Sequence, residues 1–140
     1  MEATIDQVTS LFPQHVPIFG NTHLTRAEEI QGSFTSYLQV RIPFVGKASG
    51  ELLIWSDLCI EKLRPNERAY ARGVIGEAAN ILAGMTLSEL ADKIDGKIML
   101  APPHIIDNKT PSPIKGHDYI LSLLDGKCRC RVEVTLGALQ

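Results

Sequence analysis

The stretch Gly73-Val74-Ile75-Gly76-Glu77-Ala78-Ala79-Asn80-Ile81-Leu82-Ala83-Gly84-Met85 decides the fold. Stepped at about 100° per residue, Ala71, Val74, Ile75, Ala78, Ala79, Ile81, Leu82 and Met85 fall within about 160° of arc, the apolar face of a helix. The pattern predicts a helix over 66–91, preceded by Pro65, a residue suited to a first helical turn. Gly73, Glu77, Asn80 and Gly84 fall on one narrow stripe on the opposite side. Glu77 and Asn80 are three residues apart, so their side chains are neighbours. Gly73, Gly76 and Gly84 each cost the helix ~1 kcal/mol relative to alanine. Three such costs imply that something approaches this helix closely.

The period changes on either side. From Gly32 to Pro43, residues Phe34, Ser36, Leu38, Val40 and Ile42 alternate with polar or smaller neighbours, a strand pattern. Residues 46–50 read as a hairpin connection and Glu51 to Ser56 as its second strand; Phe34 and Trp55 read as core. A short helix is expected over 58–63. After the long helix, residues 97–101 and 104–106 flank Pro102-Pro103. A proline pair cannot sit in a regular central ladder, so this strand is expected to be bent or at an edge. Residues 107–117 read as a polar loop. Residues 118–124 and 127–136 read as strands joined by Asp125-Gly126, a strong hairpin signal. At the N-terminus, 3–12 read as a short amphipathic helix and 13–31 as irregular connection, with one weak helical turn opened at Thr25. The order of hairpin, long helix, strand and hairpin favours an α+β fold with a largely antiparallel sheet.

The chain has 140 residues, 44% of them hydrophobic and 21% charged, with formal net charge −2. That size suits one domain over 1–140, and the composition excludes disorder as the main state. The balanced charge argues against nucleic acid as a partner. No apolar run is long enough to span a bilayer, and the start lacks the basic residues of a signal peptide, so no membrane insertion is expected. Cys128 and Cys130 share one face of a strand, with Cα atoms about 6.6 Å apart and side chains parallel, and read as packed thiols. With three cysteines in all, the chain reads as a reduced, cytoplasmic protein. His15, His23, His104 and His117 are scattered in sequence, none paired with another at metal-ligand spacing.

The stripe is where chemistry is expected. A carboxylate and a carboxamide would project from a rigid helix whose flanks carry no side chains. Asn80 brings two donors and one acceptor, enough to fix a water. Glu77 brings a charge that can pair with a cation on a partner. Neither residue is a nucleophile with a base beside it. If the pair were buried, the same glycines would instead serve helix packing or dimerisation.

Residues 76–84 resemble the signature helix of the CheC/CheX/FliY family of chemotaxis phosphatases. The family pattern is Asp or Ser, three residues, Glu, two residues, Asn, twenty-two residues, Pro. Glu77 and Asn80 match it, and Pro103 falls on the family proline. Residues 131–136 also resemble the closing strand of the family. The resemblance covers about 73–136, and 32–56 more loosely. A single Glu/Asn pair points to the CheX branch. Two features depart from the family: Gly73 stands where the pattern has Asp or Ser, and the N-terminal region lacks the family's long first helix. The resemblance implies hydrolysis of the aspartyl phosphate of a CheY-like response regulator, with Glu77 and Asn80 as the catalytic pair. It implies Mg²⁺ on the receiver, no cofactor of this chain's own, and a homodimer. A non-catalytic CheX-like adaptor is the alternative.

Overall fold

In the computed structural model, residues 3–29, 32–123 and 126–137 are described. The elements run α1 (Ile5–Thr9), β1 (His15–Phe19), β2 (Thr22–Arg26), β3 (Thr35–Gly46), β4 (Gly50–Ser56), a 3₁₀ turn (Ile60–Lys62), α2 (Pro65–Ile94), β5 (Ile98–Leu100), β6 (His104–Pro111), β7 (His117–Leu123) and β8 (Gly126–Leu136). The strands make one 8-stranded sheet in the order β1-β2-β7-β8-β4-β3-β5, with β6 also paired to β3. Every pairing is antiparallel. The architecture is the expected α+β arrangement of an antiparallel sheet packed against a long helix.

Alternation sets the two faces of the sheet. Leu38, Val40, Ile42 and Phe44 on β3, Leu52 and Ile54 on β4, Tyr119 and Leu121 on β7, and Val132 and Val134 on β8 are all buried in one core cluster with α2. Each such aliphatic or aromatic side chain contributes roughly 1.5–3 kcal/mol of burial.

Helix α2 spans 30 residues, longer at its C-terminal end than the periodicity suggests. Its buried side shifts along its length. Ala71, Val74, Ile75, Ala78, Ala79 and Leu82 pack in the first half, whereas Ala83, Thr86, Leu87, Leu90 and Ile94 pack in the second. On the wheel the buried face rotates by roughly 100° between the two groups. A straight helix crossing a twisted sheet meets it with a drifting face. Met85, expected on the apolar side, is therefore 40% exposed.

Several readings need correction. The segment 13–31 is not irregular: its middle is the β1–β2 hairpin, and residues 25–26 end a strand rather than open a helical turn. Pro13, Pro17 and Gly20 hid it; Pro17 is tolerated because β1 is the edge strand, with no neighbour beyond it among the described residues. The polar stretch from Asp107 to Pro111 continues β6 rather than forming a loop, because β3 supplies the missing ladder partners. Phe34 is only half-buried, and its ring lies against the guanidinium groups of Arg129 and Arg131. Trp55 is buried as expected, on the sheet face away from α2. The expected helices over 3–12 and 58–63 shrink to Ile5–Thr9, capped by Thr4, and a 3₁₀ turn. The final hairpin forms, with Leu123 opposite Gly126. Asp125 lies outside the described residues.

Pro43 lies inside β3, not at its end. Its carbonyl accepts from Ala101 N at 2.9 Å. Its nitrogen faces the same side, since a strand residue directs both groups to one neighbour. On that side β5 has ended and β6 has not begun, so no ladder donor is lost. Pro102-Pro103 make that break, at the sheet edge as expected.

Candidate functional site

The surface of α2 opposite the sheet is as bare as its glycines imply. Glu77, Asn80 and Gly73 are exposed, and Gly84 is half-buried. A Cβ added at Gly73 or Gly84 would meet nothing within 4 Å. The ion pairs among the described residues are Arg41–Glu51, Arg72–Asp107 and Arg131–Asp118, so none engages Glu77. The acid and the amide thus stand side by side, about 5–6 Å apart at Cβ, ready for groups from elsewhere.

Gly76 differs from the other two glycines. It faces the sheet, and a Cβ there would lie 2.7 Å from Cδ1 of Ile105 on β6. One turn earlier, the Arg72 guanidinium donates to the Asp107 carboxylate, also on β6. Strand β6 therefore runs antiparallel along one flank of α2. Two strand residues span about 6.6 Å, and four helix residues about 6 Å. The proline pair falls where the β5 ladder on β3 has ended and the β6 ladder has not begun.

The other flank of the stripe is apolar. Tyr70 lies seven residues before Glu77, almost on the same line of the helix, and is 41% exposed. Beside it opens a crevice of about 370 Å³ lined by Leu58, Leu63, Asn66, Glu67, Tyr70, Ala71 and Leu123. The sequence reading missed this feature. The seven-residue spacing from Tyr70 to Glu77 was its available signal; the distant Leu123 was not foreseeable.

Other titratable groups do not join the stripe. A larger hollow, lined in part by Arg41, Glu51 and His104, lies on the other face of the sheet, and there Arg41 and Glu51 satisfy each other through two hydrogen bonds of 2.8 Å. The histidines are not all apart. The β1–β2 hairpin brings the rings of His15 and His23 to 5.1 Å between centroids, a pairing hidden while that hairpin went unrecognised. Two rings do not make a metal set, and no group of three metal-ligating side chains occurs among the described residues. Cys128 and Cys130 are buried in the core as packed thiols. The hydrogen bond that the Cys130 thiol donates to Cys128, and burial, push Cys130 well above its ordinary value.

His117 sits at the opposite end of the sheet, edge-on to Phe12. Arg26 Nη2 donates to its Nδ1 at 2.6 Å, which requires a free lone pair there. Burial, and then the Arg26 charge, lower its pKa below the ordinary histidine value.

The largest polar cluster is sealed. Arg131 is 0% exposed, and its Nε donates to Asp118 Oδ1 at 2.7 Å. Its Nη1 donates to the carbonyls of Gly32 and Pro113. This arrangement ties two connecting segments to the sheet.

No family model matches the sequence, and no curated protein resembles it significantly. Solved structures do match. The chemotaxis protein CheX from Desulfovibrio desulfuricans aligns with TM-score 0.53 at 12% identity, over 96% of this chain and 94% of that one. CheX from Vibrio vulnificus aligns with TM-score 0.50 at 18% identity, over 94% and 90%. The chain therefore has the fold of CheX chemotaxis proteins. No helix among the described residues is long and apolar enough to cross a membrane.

Proposed function

We propose that this chain, as a single CheX-like domain over 1–140, is a cytoplasmic phosphatase. It hydrolyses the aspartyl phosphate of a CheY-like response regulator, and Glu77 and Asn80 form its catalytic pair. The observation that carries the reading is the exposed acid and amide on a glycine-cleared helix face in a chain with the CheX fold. Docked on the receiver, Asn80 orients the attacking water in line with the phosphorus–oxygen bond to be broken. Glu77 pairs with a lysine of the receiver's site. Mg²⁺ belongs to the receiver, and this chain contributes position and charge.

The energetics fit that division. Phosphoryl transfer depends chiefly on positioning and electrostatics. A fixed water removes an entropic cost, and good alignment contributes several of the ~7–11 kcal/mol available to ideal cases. The helix supplies rigidity, because Ala78, Ala79 and Leu82 beneath the pair are buried.

The test is release of phosphate from labelled receivers of the same genome. Wild-type chain is expected to accelerate loss of label from one of them. Asn80→Ala is expected to abolish the acceleration while leaving docking. Glu77→Ala is expected to weaken docking and rate together. Full activity in Asn80→Ala would sink the role given to the amide.

One observation favours a second reading, a non-catalytic adaptor on the same surface. Gly73 offers no hydroxyl or carboxylate beside Glu77, and nothing described lies within 4 Å of where its Cβ would be. An adaptor binds the phosphorylated receiver and leaves its lifetime unchanged. A homodimer is part of the proposal, checked by sedimentation.

A further inference from the structure

The β1–β2 hairpin brings together two imidazoles that the proposed reaction does not use. Val16 and Leu24 point into the core with α2, so alternation sends His15, Pro17, His23 and Thr25 to the other face of the sheet. In the ladder His15 lies opposite Thr25 and Pro17 opposite His23, so the two histidines are diagonal neighbours on that face. Their rings stand 5.1 Å apart at the centroids and are tilted by 41°. Strand β7 pairs with the far side of β2 and so fixes the hairpin on the sheet. His15 is exposed and His23 half-buried, which leaves the pair open to solutes.

That spacing is the spacing of two ligands on one metal ion. Zinc lies about 2.0–2.1 Å from an imidazole nitrogen, hence about 3.2 Å from the ring centre, and at a tetrahedral angle two such centres are about 5.2 Å apart. The His23 ring is also set for a metal. Its Nδ1 lies 3.0 Å from the carbonyl oxygen of Asn21, in the turn of the hairpin. A carbonyl only accepts, so Nδ1 carries the hydrogen and the neutral ring keeps its lone pair on Nε2. Metal-binding histidines show this arrangement, in which a backbone carbonyl fixes the nitrogen that does not bind the ion. Neither histidine forms an ion pair among the described residues. Lys127 is the cation in the same row of the sheet, and Ser122 stands between it and His23, two strand spacings or roughly 9–10 Å of backbone.

We propose that His15 and His23 form a site for a borderline divalent cation of the zinc class, one ion per chain, which clips edge strand β1 to β2. Two imidazoles fill half of a tetrahedral shell, and water fills the rest. Imidazole nitrogen suits Zn²⁺, Cu²⁺ and Ni²⁺, whereas Mg²⁺ and Ca²⁺ take oxygen ligands. The site therefore differs in chemistry from the Mg²⁺ of the receiver reading. It lies on the sheet face away from α2 and does not depend on that reading.

The experiment is a calorimetric titration of the untagged full chain with Zn²⁺, with Mg²⁺ and Ca²⁺ as controls, beside thermal melts with and without each ion. One Zn²⁺ is expected to bind per chain and to raise the melting midpoint, because the ion binds the folded hairpin. Mg²⁺ and Ca²⁺ are expected to do neither. His15→Ala and His23→Ala are each expected to weaken zinc binding about tenfold or more, at least as much as losing an outer-shell partner does, and to remove the rise in midpoint. His104→Ala is expected to leave both unchanged. Circular dichroism without metal confirms that each variant folds. Full zinc affinity in His15→Ala and His23→Ala would put the ion elsewhere, on the thiols or another histidine, and overturn the proposal. One ion per two chains, with a doubled sedimenting mass, would overturn the water-completed shell. An unmodified chain that takes up no zinc ends the proposal outright, and the receiver reading is untouched.

Discussion

Two polar clusters in this molecule have opposite fates. On α2, Glu77 and Asn80 lie open to solvent with no described ion partner. On the sheet, Arg131 and Asp118 are sealed and bonded to each other, and Arg131 also donates to carbonyls of two connecting segments. The difference teaches how to tell use from support. A buried ion pair must satisfy its own groups or the fold suffers. An exposed pair on a rigid, cleared surface costs the fold almost nothing and remains free to bind. The polar residues with the fewest internal partners are therefore the candidates for chemistry, and the best-bonded ones are structural.

Substitutions can break that contrast. Asp118→Ala strands the Arg131 charge inside the protein and is expected to cost about 3–5 kcal/mol. A urea melt shifted by less than half of that would mean the cluster is not sealed. Gly76→Val drives a branched side chain against Ile105 and is expected to cost about 1–3 kcal/mol. That loss would confirm β6 as the wall of the stripe, and an unchanged midpoint would detach it. Gly73→Ala has open space, so the helix gains about 0.8–1 kcal/mol. The thermal midpoint should rise while affinity for the bound receiver falls, because the cleared path narrows. A rise in both would show that no partner uses the gap.

The smallest expected effect concerns His117. Its folded-state pKa lies below the ordinary value, from burial and then Arg26. Between the two values the unfolded chain binds more protons, so stability is full above the ordinary histidine pKa and declines as pH falls through the lowered one. Melting across that window should show this decline, and His117→Gln should flatten it. An unchanged slope would assign the acid sensitivity elsewhere.

How much was legible follows from where each signal resides. The α2 period, the Glu77/Asn80 stripe and the β3–β4 hairpin are written in residues close in sequence, and all appear in the fold. The β1–β2 hairpin was missed because Pro17 and Gly20 read as breakers, while β7, about a hundred residues away, holds β2 in the sheet. The strand at Asp107 to Pro111 was missed because its side chains are polar, and β3 alone makes it a strand. The shift of the buried face past Met85 depends on sheet twist, which no local period encodes.

The sequence by itself determined a helix with an acid and an amide three residues apart and glycines clearing their surroundings, because helical geometry is local and repeats every 3.6 residues. Only the tertiary structure decided that Ile105 fills the space over Gly76 while Gly73 and Gly84 stay open. It alone sealed Arg131 and opened the crevice beside Tyr70. Those outcomes depend on which distant strands and segments arrive beside a residue, and chain spacing carries no record of that.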